Sequence, residues 1–409
     1  MDNLTHSLTG LAVGEIIARS LPAETDEGHQ RTRRKLLLVS CWAASNFPDL
    51  DLVLTPLLPA PLGYLLHHRG HTHTLLYALP QALLLAALLW LLWPGARRVL
   101  AASKHARRGL ALAIGAGFLL HMLMDFMNSY GIHPFYPFDP RWFYGDAVFI
   151  VEPVFWIALG VPLALMATRR VSRLTLIAML VGAPLAFTVS GHLHPASTAA
   201  LLLLASVVGV AQRRARSTGR QGLLAAFGAC LVFIAVQGFA SAGGKHLIAD
   251  ELRARDPATR VVDVAMSSFP SNPLCWSFVS VEHNGTDFRL RRGVASVAPG
   301  VMAAAACPAA FAERQAQQAL STAVAVVWEK TTPLAELRRR KKDSCHMDAW
   351  LRFARAPALN EDNATDVRYG VEPDSNFSTI RYANFANAPC PPGVPRWAYP
   401  RADLLQPAP

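Results

Sequence analysis

Eight apolar runs, most of them long enough to cross a bilayer, constrain this chain more than any other feature. An α-helix needs about 20 residues to span a hydrocarbon core about 30 Å thick. Runs of this kind lie at about residues 4–20, 35–54, 74–93, 109–127, 148–167, 174–191, 196–212 and 222–242. The composition agrees, because 52% of the residues are hydrophobic and only 16% are charged. We therefore predict a mainly α, polytopic transmembrane helical bundle of about eight segments; a large soluble domain of buried helices is the weaker alternative.

The first run begins with "MDNLTHSLTG", which lacks the basic stretch and the small-residue cleavage site of a signal peptide. We therefore expect residues 4–20 to stay in the mature protein.

The distribution of Lys and Arg predicts how the bundle is oriented. Basic stretches lie at residues 31–35, 97–108, 169–173 and 213–220. The alternate connections, residues 55–73, 128–147 and 192–195, carry only Arg69 and Arg141. Because Lys and Arg accumulate on the cytoplasmic side of short loops, we predict a membrane protein with both termini outside, which for a bacterial chain would be the periplasm. The net charge of +11 is then mainly a topological signal, and we expect no nucleic-acid partner.

The composition changes near residue 243, so we predict a membrane domain at 1–242 and a small extracytoplasmic α+β domain at 243–409. Strand-like runs occupy much of residues 260–298 and contain an Asn-Gly turn signal at 284–285. A helix is predicted at about 308–328, and further strands at "DVRYG" and "FSTIRYA". This domain would cover a site at the membrane face, select substrate, or act as a structural cap.

The cysteines are divided between the two regions. Cys41 and Cys230 lie in apolar runs, whereas four others lie in the tail: Cys275, Cys307, Cys345 and Cys390. An even number in a domain outside the cytoplasm predicts one or two disulfides of undetermined pairing. Four reduced thiols in a cytosolic domain are the alternative.

Imidazoles and carboxylates are concentrated at the outer ends of the apolar runs. Four histidines lie in "HHRGHTH", residues 67–73, directly before an apolar run. Ionisable groups within spanning segments are expensive and indicate functional sites. The others at this predicted level are His6, Asp49, Asp51, His121, Asp125, Asp146 and Glu152. Taken singly, these are caps, turns, interfacial anchors or hydrogen-bonded pairs, but one shared metal centre explains them together.

The spacings suit metal ligation. His121 and Asp125 are four residues apart and share one face of a helix. Asp49 and Asp51 follow Pro48, where a helix tends to break, and residues two apart in an extended segment point the same way. Mixed imidazole and carboxylate ligands suit zinc, manganese or iron.

Several of these stretches together resemble a known family. They are "MDNLTHSLTG", "FPDLD", "HRGHTHT", "HMLMDFMNSYGIHPFYPFDPRWFYGDAVFIVEPVFW" and, more loosely, "FPSNPLCWSFV". In this order they resemble the membrane-bound metal-dependent hydrolases of the YdjM type over most of residues 1–167. The resemblance implies an integral inner-membrane protein with a metal-dependent hydrolase centre. That family is also distantly similar to zinc-dependent phospholipases C, which implies a phosphodiester or phospholipid substrate.

The resemblance also implies particular residues. The matching polar positions are His6, Asp49, Asp51, His68, Arg69, His73, His121, Asp125 and Glu152. His67 and His71 fall at variable positions of the pattern, so they are either bystanders or extra ligands. Glu152 stands where the family more often has Asp, and Thr74 replaces a more usual Ser.

The leading hypothesis is a multi-pass membrane hydrolase that binds one to three divalent ions, most simply zinc, at its periplasmic face. The predicted ligands are His6, Asp49, Asp51, His68, His73, His121, Asp125 and Glu152. Asp51 or Asp146 would act as general base toward a metal-activated water, and Arg69 would stabilise negative charge. The expected partners are the lipid bilayer and an amphiphilic or phosphoester substrate. His192 and His194 are expected to be loop residues without a ligand role.

Two alternatives come from other classes of protein. A metal transporter or sensor would need polar groups continuing to the inner face, where the runs are apolar apart from Glu15. A non-catalytic membrane scaffold would use the tail to bind a periplasmic partner.

Overall fold

A computed structural model of the chain describes residues 1–215, 219–308 and 318–406. Its N-terminal part is helical. The helices are α1 (Asn3–Ser20), α2 (Glu27–Ala44), α3 (Leu62–His67), α4 (Leu75–Leu92), α5 (Pro94–Ala102), α6 (Lys104–Phe126), α7 (Pro153–Leu165), α8 (Arg170–Val189), α9 (Pro195–Arg214) and α10 (Gln221–Arg255). A 3₁₀ helix, Pro48–Leu57, follows α2, and a short one, His71–His73, precedes α4.

Six stretches are long and apolar enough to cross a membrane, counted within the described residues. They are Glu27–Leu57, Leu75–Leu92, Lys104–Phe126, Arg170–Val189, Pro195–Arg214 and Gln221–Arg255. Helix α7 is apolar but shorter, and α1 does not reach the same hydropathy. A mainly α bundle with a sheet-containing tail is thus confirmed, while the number of about eight spans stays a prediction.

Helix α10 joins the two parts of the molecule. It runs for 35 residues and continues unbroken through the predicted domain boundary at residues 242 and 243. Beyond that boundary, Ile248 and Leu252 pack into one core with Trp276 and Phe278 of the tail. The last turns of α10 therefore belong structurally to the C-terminal domain.

An antiparallel five-stranded sheet forms the centre of that domain, in the order β1-β2-β3-β5-β4. Its strands are β1 (Arg260–Phe269), β2 (Asn272–His283), β3 (Asp287–Ser296), β4 (Gln318–Ala319) and β5 (Val324–Pro333). The predicted Asn-Gly turn is confirmed, because Asn284 and Gly285 join β2 to β3 and Gly285 has φ +98°. Such a positive φ favours glycine.

The rest of the tail packs beside this sheet. It contains a small sheet of β6 (Pro357–Leu359), β7 (Asn363–Asp366) and β8 (Ile380–Arg381), and helices α11 (Leu334–Asp343), α12 (Cys345–Leu351) and α13 (Ala402–Leu405). Two disulfides are present, Cys275–Cys307 and Cys345–Cys390. Cys41 and Cys230 are free and buried.

Two predictions for the tail need correction. The helix predicted at about 308–328 is wrong over residues 318–328, which contain β4 and the start of β5; residues 309–317 lie outside the described part. β-branched residues in Val324–Pro333 pair with β3, and this pairing overrides the helical tendency of the alanines. In "DVRYG", only Asp366 belongs to a strand, because Val367–Tyr369 form a 3₁₀ turn.

The tail and the loops at one end of the bundle share one apolar core. Leu66 of α3 and Trp142 lie in the same buried cluster as Trp350, Phe353 and Trp397 of the tail. The tail therefore covers the face on which α3 and the loop between α6 and α7 lie.

Candidate metal centre

Close packing of three helices brings the candidate site residues to one level. A Cβ on Gly10 of α1 would lie 2.8 Å from the Cys41 carbonyl oxygen, and one on Gly117 of α6 would lie 2.5 Å from the Ala44 Cβ. Only glycine allows both helices to approach α2 so closely. The start of α1 and the ends of α2 and α6 consequently meet, and these carry His6, the Asp49–Asp51 segment, and His121 with Asp125.

The 3₁₀ helix after α2 has two faces of different character. Asp51 is buried and Asp49 is mostly buried, whereas Leu50, Leu52 and Val53 between and beyond them are exposed. Pro48 occupies the first turn, where its missing N–H leaves no donor unpaired. The carboxylates therefore point inward, and the apolar side chains point away from the protein.

Four side chains form a compact group of potential ligands: Asp49, His73, His121 and Asp125. His73 Nε2 lies 3.0 Å from His121 Nε2 and 3.1 Å from Asp125 Oδ2. His121 Nε2 lies 3.5 Å from the same Asp125 oxygen. Asp49 Oδ1 lies 3.5 Å from His73 Nε2 and 3.6 Å from His121 Nε2.

These separations match a tetrahedral metal site. Zinc binds histidine nitrogens and carboxylate oxygens at about 2.0–2.1 Å, so atoms at the corners of its tetrahedron lie about 3.3 Å apart. The five separations range from 3.0 to 3.6 Å and involve the same four atoms throughout. The group thus has the size of one zinc coordination sphere, and all its ligand atoms lie within 4.8 Å of one another.

The hydrogen bonds of the two imidazoles direct their lone pairs into this group. The Nδ1–H of His121 donates to the Ser45 carbonyl oxygen over 2.7 Å. His73 Nδ1 lies 3.0 Å from Thr72 Oγ1 and 3.3 Å from Asp51 Oδ2, so a proton on Nδ1 is held by these oxygens. Each Nε2 then carries a lone pair, as in the carboxylate-histidine-zinc arrangement of known sites.

A protonated His73 is the alternative to a metal ion. Burial lowers the pKa of the His73 imidazole, but hydrogen bonds to Asp125, Asp49 and Asp51 outweigh it and raise that pKa well above its ordinary value of 6.5. Without a metal, an imidazolium would therefore balance the carboxylates. A divalent cation would replace that proton.

The two oxygens of Asp125 have different surroundings. Oδ1 accepts from the Met1 α-amino group and forms an ion pair with Arg69 Nη2 at 3.0 Å. Oδ2 faces the two imidazoles and, when neither Nε2 carries a proton, has no hydrogen-bond donor among the described residues. A buried carboxylate oxygen of this kind is costly unless a cation satisfies it.

His6 lies directly beside the group. Its ring stacks on His121 with centroids 4.0 Å apart, and its Nε2 is 3.3 Å from Asp125 Oδ1. Neither ring nitrogen has a hydrogen bond within the described parts of the chain, although the side chain is fully buried. His6 is therefore placed as an additional ligand would be, outside the four-residue group.

A second group of potential ligands consists of Asp49, Asp51 and His68. Asp51 is occupied by donors, since it accepts from His68 Nδ1 at 3.0 Å, the Arg69 backbone N–H at 2.9 Å and Thr72 Oγ1 at 2.9 Å. Asp51 therefore organises the loop that carries His68 and His73. The first group is the better metal site, because its ligand atoms have fewer competing donors.

Arg69 is held inside the site. Its backbone has φ +58°, a strained conformation outside glycine, and the side chain is almost fully buried. Besides the ion pair to Asp125, the guanidinium donates to Asn128 Oδ1 at 2.8 Å and lies over the Tyr130 ring. These contacts orient Asp125, and they leave little of the Arg69 guanidinium accessible to a substrate.

The structure does not bring Glu152 or Asp146 into either group. Glu152 caps α7 at the Val154 N–H and accepts from both the backbone N–H and the hydroxyl of Ser271. Asp146 accepts two hydrogen bonds from Arg355, each 2.8 Å long, and one from Lys245 at 2.6 Å. Because both carboxylates are saturated by partners that join the tail to the bundle, we assign them structural roles instead of the predicted ligand and general-base roles.

The remaining histidines of residues 67–73 lie away from the ligand atoms. The His71 ring contacts Trp397 and Tyr136, with centroids 4.8 and 5.2 Å away. Burial lowers the pKa of both His67 and His71. Neither belongs to a potential ligand group among the described residues.

Several contributors to the site were not predicted. Ser45 contributes only a carbonyl, so no side-chain pattern could reveal it. Thr72 lies between two histidines in the sequence, so its hydroxyl could have been predicted to contribute to the site. Asn128, which accepts from Arg69, and Trp397, which donates to the Leu66 carbonyl, lie far along the chain from these partners.

Comparison with known proteins agrees with the N-terminal motifs. Residues 1–195 match the family described as "YdjM inner membrane protein", which confirms the resemblance over that part of the chain. One similar protein is the "Uncharacterized protein YfhP" of Bacillus subtilis (strain 168), 27% identical over 158 residues. That alignment covers 39% of this chain and 44% of the relative, so the chain spans less than half of the relative's length. No solved structure matches. Together with the apolar helices, the family match identifies a membrane protein.

Proposed function

We propose that residues 1–195, the part that matches the YdjM inner membrane protein family, form a metal-dependent hydrolase centre within a membrane protein. Its resident ion is zinc, bound by Asp49, His73, His121 and Asp125. The single observation that carries the proposal is the tetrahedral spacing of these four ligand atoms. The two imidazole tautomers, fixed by the Ser45 carbonyl and by Asp51, support it.

The residues around the ion suit hydrolysis. A divalent ion supplies a water of lowered pKa and polarises a phosphoryl or acyl oxygen. Asp51 accepts the Nδ1–H of His68, which leaves His68 Nε2 to accept or donate a proton at the opening of the site. The His68 side chain is 11% exposed and Asp49 is 12% exposed, so reactants reach the group beside these two residues. Arg69 fixes Asp125 and balances its charge.

The surroundings favour an amphiphilic substrate. On the 3₁₀ helix, Leu50 is 57% exposed and Val53 is 74% exposed, although the same helix carries Asp49 and Asp51. An apolar ridge of this kind fits the acyl region of a bilayer, since exposed apolar patches mark interaction surfaces. A lipid-like phosphoester lying in the leaflet would then have its headgroup at the depth of the ligands.

We place this face outside the cytoplasm. The ligands lie at the start of α1 and the ends of α2 and α6, opposite the basic stretches at residues 31–35 and 97–108. The tail packs on the same face and contains two disulfides, which persist in oxidising compartments such as the periplasm.

Metal analysis of the full chain in detergent tests the centre. We expect about one zinc per chain, lost on dialysis against a chelator with a fall in Tm; at 100 times Kd the ion contributes about 2.7 kcal/mol of stability. Asp125→Asn, which keeps the shape of the side chain, should bind zinc at least 10-fold more weakly. His192→Ala removes an exposed histidine outside the group and should bind zinc as the parent does.

Hydrolysis is tested separately with phospholipid vesicles and with a soluble aryl phosphodiester. We expect chelator-sensitive turnover that is faster on vesicles and abolished in Asp125→Asn. Absence of metal together with a Tm unchanged by chelator would refute the centre. Metal binding without turnover, combined with zinc uptake into proteoliposomes, would instead establish the transporter alternative.

A further inference from the structure

We propose that Trp397, a residue of the tail that lies too far along the chain to be expected at the site, is a positioning residue for the metal-ligand loop. That loop is His67–His73, which carries His68, Arg69 and His73. The inference rests on the proposed function, because positioning has meaning only if the loop supplies a metal ligand.

Trp397 is fully buried against the loop and its supports. Its indole Nε1–H donates to the Leu66 carbonyl oxygen over 2.9 Å, at the residue directly before the loop. One face of the indole stacks on His133, with centroids 3.9 Å apart and planes 16° apart. The His71 ring lies 4.8 Å from the indole. The indole thus touches the loop at its entrance and at its middle.

There is little space between the Trp397 indole and the backbone of the loop. A Cβ added to Gly70 would lie 3.2 Å from Trp397 Cζ2 and 3.0 Å from the Leu66 carbonyl oxygen. Arg69, the preceding residue, has the strained φ of +58° noted above. Such a conformation persists only where the surroundings over-determine it.

Two residues from different parts of the molecule hold the loop: Asp51 of the bundle and Trp397 of the tail. Asp51, on the 3₁₀ helix, receives donors from His68, Arg69 and Thr72. Trp397 belongs to the tail, where its carbonyl accepts from Arg352 Nη1 at 3.1 Å. The next residue, Ala398, donates to the Pro140 carbonyl in the loop between α6 and α7. Residues 66–73 are therefore secured both by the membrane bundle and by the tail.

This arrangement gives the tail a specific part in metal binding. His73 follows Gly70 by three residues, and its N–H donates to the Gly70 carbonyl. A shift of the Leu66–Gly70 backbone moves His73 Nε2 away from the 3.0–3.5 Å separations that fit one ion. Groups that orient ligands without touching the metal typically change metal affinity 10- to 100-fold when removed.

The test compares two tryptophans whose indole N–H groups donate to different carbonyls, only one of which adjoins the loop. Trp350 is also fully buried in the tail, and its indole donates to the Ser378 carbonyl over 2.7 Å, away from the loop. Trp397→Phe and Trp350→Phe each remove one indole N–H from a buried carbonyl, so both should lower Tm. Zinc affinity is measured for each full-length variant by competition with a chromophoric chelator. We expect Trp397→Phe to bind zinc 10- to 100-fold more weakly and Trp350→Phe to bind it within about 2-fold of the parent.

Equal zinc affinity in the two variants would overturn the inference while leaving the proposed function intact. A parent protein that binds no zinc would overturn the proposed function itself. Where Trp397→Phe does not fold, Arg352→Met removes the donor to the Trp397 carbonyl, with Arg381→Met, an exposed arginine of the tail, as its control. Weaker zinc binding in Arg352→Met alone supports positioning; parental affinity in both contradicts it.

Discussion

At Asp125, one carboxylate serves two purposes through its two oxygens. Oδ1 is held by Arg69 and the Met1 amine, and Oδ2 is left facing His73 and His121. The orientation of a ligand is therefore fixed by groups that do not bind the ion themselves. The same division applies to His121, whose Nδ1–H is held by the Ser45 carbonyl.

His133 should make stability depend on pH. It is buried between Trp142 and Trp397, and burial lowers its pKa to about 3. An unfolded histidine has a pKa of about 6.5. His133 therefore contributes full stability above pH 6.5, and this contribution falls as the pH drops from about 6.5 toward 3, by up to about 1.4 kcal/mol per pH unit.

The measurement is the unfolding free energy at pH 7.5 and pH 5.0 for the parent and for His133→Phe. The variant loses the hydrogen bond from Nδ1 to the Arg141 carbonyl, which costs about 1 kcal/mol at pH 7.5, but should lose less stability on acidification. An identical pH dependence in His133→Phe and the parent would contradict the assignment.

The sequence revealed most of the ligands but not their partners. His121 and Asp125 were predictable because helical periodicity places residues four apart on one face, and the structure has them there. Glu152 and Asp146 misled because their spacing along the chain does not show that Ser271 and Arg355 occupy their oxygens. Such partners lie more than 100 residues away, beyond the reach of any local pattern.

Among the helices, α2 and α6 are set at a distance that only glycine permits. Gly117→Ala should destabilise the bundle by about 1–3 kcal/mol, because the new Cβ would lie 2.5 Å from the Ala44 Cβ and 2.9 Å from the Cys41 carbonyl oxygen. Thermal unfolding in detergent measures this change. Zinc affinity should fall as well, since α6 carries His121 and Asp125.

Gly115, two residues earlier on α6, gives the matched control. An added methyl there meets nothing within 4 Å, so Gly115→Ala should be neutral or stabilise by up to about 1 kcal/mol through helix propensity. Equal effects at the two positions would contradict this assignment, because the contact with α2 would then not determine the change in stability.

Helices and strands were predictable where a single sequence pattern was strong. The long apolar runs and the Asn-Gly hairpin appear as expected, since each depends on local chemistry. The segment leading into β5 was misread because its alanines favour a helix, while its valines pair with β3. Pairing across residues 287–333 depends on tertiary contacts that a single sequence does not display.

For the molecule as a whole, Arg355 is the main ionic connection between the tail and the bundle. It binds Asp146 through both terminal nitrogens and Asp263 through Nε at 2.7 Å, and it is almost fully buried. Arg355→Met would take this partner from the buried Asp146, which keeps Lys245, and from the partly buried Asp263, which keeps Arg401. Loss of one member of such a buried pair costs about 3–5 kcal/mol.

Thermal unfolding and limited proteolysis measure the effect. We expect a lower Tm and faster cleavage between α10 and the rest of the tail in Arg355→Met. Arg381→Met, which removes an exposed partner of Asp374, should behave as the parent does. Unchanged proteolysis in Arg355→Met would show that the shared apolar core alone holds the tail in place.

Helix α10 extends for about 52 Å at 1.5 Å per residue, whereas the hydrocarbon layer takes up only about 30 Å. Helix α10 therefore sets both the distance of the tail from the leaflet and the direction in which the tail faces. Each residue inserted into it would turn the sheet by about 100° around the helix axis and raise it by 1.5 Å. A loop tolerates small insertions, but a single residue inserted into α10 would move the Trp397 indole away from the histidines that it contacts.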